Sequence, residues 1–138
     1  MSAKDYLKQI KDKREYIHRL ELRRKGLYDR YCSIRATDYA KDRVQSSPVN
    51  SLEENAVELA ERTQEIDMEI IRVTLQIDDV LNKIDSVGSI YSQILSMQYD
   101  EGKRLQQIAD ELKIGYNYLC QLNGEALRRL TEQLNKSN

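Results

Sequence analysis

Apolar or long side chains recur along the first part of the chain in steps of four and three, at Tyr6, Ile10, Lys13, Ile17, Leu20, Arg24, Leu27, Tyr31 and Ile34. This period keeps one face of an α-helix apolar, and sustained over about four heptads it makes the seam of a coiled coil, here with Lys13 and Arg24 as polar interruptions. Tyr16 and Tyr28 widen the stripe, and Ser2 with Asp5 three residues later forms a capping box at its start. The pattern repeats at Leu52, Ala56, Leu59, Thr63, Ile66, Ile70, Val73, Ile77, Val80, Ile84 and Val87. Ser51 with Glu54 reads as its capping box, and Gly88 as its stop. Ile71, Leu75 and Leu81 lie off this second seam and imply that another face is buried.

Each seam predicts a helix on the order of 50 Å long. Charge then separates the two helices. Residues 1–50 carry 13 Lys and Arg against 7 Asp and Glu, while residues 51–88 carry 3 against 10. Between the helices, residues 36–50 hold Ser46-Ser47-Pro48, and the proline disfavours helix at Ser47. The expected arrangement is an antiparallel hairpin, basic arm on acidic arm, over residues 1–88. The alternative pairs each helix with its own copy. Two helices cannot cover both faces of the acidic arm, so Ile71, Leu75 and Leu81 call for a second protomer. Closed two-fold dimers are the commonest oligomers.

After Gly88 the elements shorten. Ser89 can cap a helix over Ile90 to Tyr99, residues 100–103 form a turn, and Leu105 to Leu112 form a short helix. Lys113-Ile114-Gly115 makes a tight turn with Gly at a left-handed or capping position, and a last helix runs from about Tyr116 to Glu132. A helix-turn-helix needs a small residue where its helices touch, which Ala109 supplies, and an apolar plug in the turn, which Ile114 supplies. Leu119, Leu122, Ala126 and Leu130 would lean on the first helix. The opposite side, with Tyr116, Asn117, Cys120, Gln121 and Gly124 and with Tyr118 at its margin, would enter the major groove.

The run from Leu105 to Leu130, with its Ala109, Ile114, Leu119, Leu122 and closing Ala126-Leu-Arg-Arg-Leu130, resembles the region-four helix-turn-helix of bacterial sigma factors. Ile94 to Gly102 looks like the helix and turn that lead into it. The whole layout is similar to small phage and prophage regulators of the RinA and ArpU type. The resemblance implies an all-α fold, a long helical hairpin over residues 1–88 followed by a helix-turn-helix domain over residues 89–138. It also implies a cytoplasmic transcription regulator that binds double-stranded DNA and contacts RNA polymerase. Several positions depart from the family pattern, among them Gln107, where an acidic residue is common. Arg104 stands where sigma factors place a capping Ser or Thr, and Tyr116, Asn117, Tyr118 and Cys120 stand where they often carry Arg or Lys.

In the DNA reading, Asn117 and Gln121 suit adenine in the major groove through paired donor and acceptor contacts. Tyr116 and Tyr118 stack or bond phosphates, and Lys103, Arg104, Lys113, Arg128 and Arg129 contact phosphates. The alternative for this face is plain solvated helix. Residues 89–138 carry 6 cations and 6 anions, so they offer phosphates no net attraction. This favours a rival reading, in which the helix-turn-helix is a scaffold and the long helices bind another protein.

Composition removes other classes. There is no run of apolar residues of membrane-spanning length and no apolar leader after Met1. Cys32 and Cys120 are isolated, which supports neither a disulfide framework nor a zinc site. His18, the single histidine, lies among charged residues without a nucleophile beside it. Catalysis, cofactors and metals are not expected.

Overall fold

The computed structural model describes residues 2–41 and 49–136, and the side chains of residues 2–33 and 53–136. Among the described residues every regular element is helical. Two long helices, α1 (Ala3–Lys41) and α2 (Val49–Val87), precede α3 (Ser89–Leu95), a π-helical turn (Ser96–Asp100), α4 (Leu105–Leu112) and α5 (Tyr116–Lys136). No described helix is long and apolar enough to cross a membrane.

Both long helices extend further than their seams suggested. Residues 36–41 continue α1, and α2 has begun by Val49. No Gly or Pro interrupts the sequence between Ala36 and Lys41, where α1 continues. Ser51 is therefore the third residue of α2 and not its cap. The expected break at Ser47 lies outside the described residues, as do the side chains of the seam positions Ile34 and Leu52.

The chain divides into two compact units. One comprises Glu15–Val73. Within it Tyr16 donates a 3.3 Å hydrogen bond to Glu69, and Arg24 pairs with Asp67 at 3.3 Å. These two pairs join α1 to α2. Leu20, Thr63, Ile66 and Val73 are buried between them, and Ile17, Leu27, Tyr31, Leu59 and Ile70 are half-buried. Arg24 stays exposed at its seam position, where it reaches Asp67. Tyr28 does not join the stripe and remains 45% exposed.

Thr63 is the polar station of the buried seam. It is 6% exposed and its hydroxyl finds no hydrogen-bond partner among the described residues. A buried hydroxyl without a partner costs about 1–3 kcal/mol. Thr63→Val keeps the shape and removes that cost, so chemical denaturation should show a gain of about 1 kcal/mol. A loss of stability would show that the hydroxyl is satisfied in solution.

The other unit joins residues 1–14 to residues 74–138. The first half of the expected N-terminal capping box forms. Asp5 N–H donates to Ser2 Oγ at 3.2 Å, and the Ser2 hydroxyl donates to Asp5 Oδ2 at 2.9 Å. Leu7 and Ile10 are fully buried and Ala3, one step before the first seam station, is nearly so, although Leu7 lies off the α1 seam. Lys13 donates to Gln76 at 2.8 Å, and Arg14 bonds both the backbone carbonyl and the carboxylate of Asp100. The first turns of α1 thus pack in one unit with the end of α2 and the C-terminal helices.

Gly88 ends α2 with φ +75°, and Ser89 follows at φ +59°. Ser89 does not cap α3. The cap position is Gly88, and no side chain bonds there. Two consecutive positive φ values turn the chain sharply out of α2, which a glycine at 88 permits at low cost. The expected helix from Ile90 to Tyr99 is α-helical only to Leu95. It then widens to the π turn closed by Glu101 N–H on Ser96 O. Gly102, at φ +73°, releases the chain toward α4.

Candidate nucleic-acid interface

The α4–turn–α5 segment is built on a core of Ile94, Met97, Ile108, Ala109, Leu119 and Leu122, with Ile90, Tyr91, Leu105, Leu112 and Ile114 packed against it. Ala109 is 1% exposed, and its small side chain lets α4 and α5 approach. Leu119, Leu122, Ala126 and Leu130 are all buried along α5.

The turn closes as a Schellman motif. Ile114 N–H donates to Ala109 O and Lys113 N–H to Asp110 O, while Ile114 packs on the core beneath. The left-handed residue is Lys113, at φ 58° and ψ 44°, and not Gly115. The motif demands that conformation at the residue just past the helix cap, two places before the glycine. A side chain there costs about 1 kcal/mol. Lys113→Gly should raise the thermal midpoint by a few degrees, on the order of 1 kcal/mol. An unchanged or lower midpoint would contradict the geometry.

The outward side of α5 holds most of the polar residues singled out in the sequence. Asn117, Gln121, Gly124 and Arg128 step by four, three and four and are all exposed. Tyr116 and Tyr118 are 45% and 55% exposed beside them, and Cys120 is half-buried. A hydrogen bond with Cys120, then the electrostatic interaction between the two groups, pushes the Tyr116 phenol up from its ordinary range. Asn117 and Gln121 lie one turn apart, and among the described residues no side-chain hydrogen bond is recorded for either.

The cations divide. Lys103 is held by Glu111 at 2.8 Å and by Glu101 at 3.5 Å. Arg128 pairs with Glu125 and Glu132, and Arg129 pairs with Glu125 while lying 4.4 Å over the Tyr91 ring. Hydrogen bonds from Arg128 and then Arg129 hold the Glu125 carboxyl down at about 2, so it stays charged at any ordinary pH. Arg104 and Lys113 are exposed and in no ion pair among the described residues. Arg104 occupies the extended cap position of α4 without a capping side-chain bond. Glu125 was not singled out in the sequence. Its spacing of three and four from the two arginines was the available signal.

Gly124 is exposed, and a Cβ added there meets nothing within 4 Å. Gly124→Ala should therefore stabilise the helix by about 1 kcal/mol, read as a higher melting temperature. A lower one would reveal a constraint that the free chain does not show. Compared with protein-family models, with curated proteins and with solved structures, the chain matches none.

Proposed function

We propose that this protein is a sequence-specific DNA-binding transcription regulator of phage or prophage type. In this reading α4 and α5 form a sigma region-four-like helix-turn-helix, and α5 enters the major groove. The α1 and α2 helices form a coiled-coil hairpin that dimerises the chain. The observation that carries the reading is the outward face of α5. Two uncommitted amides, Asn117 and Gln121, stand one turn apart with Gly124 beyond them. Arg104 and Lys113 remain available for phosphates. Contact with RNA polymerase follows from the sigma-factor resemblance.

A second reading is favoured by a specific observation. Glu101, Glu111, Glu125 and Glu132 neutralise Lys103, Arg128 and Arg129. A domain with its cations so occupied also suits a protein-interaction scaffold. Fluorescence anisotropy with short duplexes from the protein's own genomic neighbourhood, at two salt concentrations, separates the two. A regulator binds one duplex tightly, and affinity falls as salt rises because phosphate contacts release counterions. A folded protein that binds no duplex at low salt is a scaffold.

A further inference from the structure

The first turns of α1 carry a stripe of cations. Lys4, Lys8 and Lys11 step by four and three, so they share one face of the helix. All three are exposed and in no ion pair among the described residues. Two neighbours place the stripe. Lys13 faces α2, where it bonds Gln76 at 2.8 Å, and Arg14 bonds Asp100 at the end of the π-helical turn. Around the helix axis Lys11 lies about 60° from Arg14 and about 160° from Lys13. The stripe therefore follows the edge of α1 nearer the π-helical turn and away from α2. Four residues beyond Asp100, across Gly102, is Arg104, the exposed and unpaired cap residue of α4.

We propose, resting on the DNA-binding reading above, that Lys4, Lys8 and Lys11 bind the phosphate backbone of the same duplex that α5 enters. The first helix of a helix-turn-helix crosses the backbone. Phosphates at the start of α4 then lie toward the edge of α1 that Arg14 ties to Asp100. Charge favours this placement. Residues 89–138 carry as many anions as cations, whereas residues 1–14 carry five Lys and Arg against two Asp. Asp5 and Asp12 stand at the border of the stripe farther from Arg14, and Asp5 is engaged by the Ser2 hydroxyl at 2.9 Å. Unpaired lysines on one helix face attract polyanions in general. A duplex is the occupant because these lysines belong to the compact unit that also holds α4 and α5. The phosphate contacts that the neutral C-terminal half does not offer thus come from the other end of the chain.

Fluorescence anisotropy on the full chain, with the preferred and a scrambled duplex over a range of salt, tests the proposal. The variant combines Lys4→Gln, Lys8→Gln and Lys11→Gln. Glutamine matches lysine in helix propensity, so helical content and melting temperature should not move. Affinity at low salt should fall at least about tenfold, and by the same factor on both duplexes, because phosphate contacts carry no sequence information. The fall of log affinity with log salt should become shallower by about one for each lost contact, about two to three in all. A control combining Arg23→Gln, Lys25→Gln and Arg30→Gln removes the same charge from exposed positions of the other unit and should change neither quantity. A lysine variant that binds like the wild type overturns the proposal and leaves the DNA reading standing. Equal losses from the two triple variants overturn it as well, since net charge alone then explains the effect, and so does a loss confined to the preferred duplex. A wild type that binds no duplex at low salt overturns both.

Discussion

Leu7→Ala is expected to destabilise the protein by about 3 kcal/mol, lowering the thermal midpoint by about 10 °C. Leu7 is fully buried, and it belongs to the unit that joins residues 1–14 to residues 74–138. Truncating it opens a cavity within that unit. Core leucines cut to alanine lose transfer energy and leave a void that the surroundings fill only in part. The control is Leu22→Ala on the same helix. Leu22 is 55% exposed, and its loss should cost less than about 0.5 kcal/mol. Calorimetric melts of both variants decide the matter. Equal shifts would mean that the start of α1 does not pack on the C-terminal unit in solution.

In the DNA reading proposed above, Asn117→Ala combined with Gln121→Ala is expected to cost on the order of 100-fold in affinity for the preferred duplex. A good bidentate amide–adenine contact discriminates by about 1–3 kcal/mol, and two are removed. Both residues are exposed, so melting temperature should not move. Both are neutral, so the slope of affinity against salt should survive, since that slope counts phosphate contacts. Anisotropy titrations with preferred and scrambled duplexes read all three quantities. An equal loss on both duplexes would show that α5 does not read bases. An unchanged affinity would sink the major-groove placement.

The elements most legible in the sequence were those marked by purely local signals. Leu105 and Leu112 bound α4, and Tyr116 begins α5, as the turn residues and helical spacing indicated. The seam of α2 is buried or half-buried at every described station from Ala56 to Val87. Local signals misled where two could serve one place. Ser51 and Ser89 look like caps, but a helix already under way passes Ser51, and Gly88 holds the cap position before Ser89. Gly115 looked like the left-handed residue, but the Schellman hydrogen bonds fix that conformation at Lys113. The candidate DNA face was legible as a polar helix side. The pairing of Arg128 and Arg129 with Glu125 was not drawn from the sequence, although the spacing allowed it.

By itself the sequence determined that the chain is helical, where most helices lie and which stripe of each is apolar. These properties depend on residues three and four apart, which share a helix face wherever the helix goes. Only the tertiary structure decided which apolar residues are covered. Leu7 and Met68 are both apolar and both off the expected seams, yet one is sealed and the other is 62% exposed. Periodicity says that a stripe can be buried. Burial itself needs a neighbour, and neighbours are set by contacts between residues far apart in the chain.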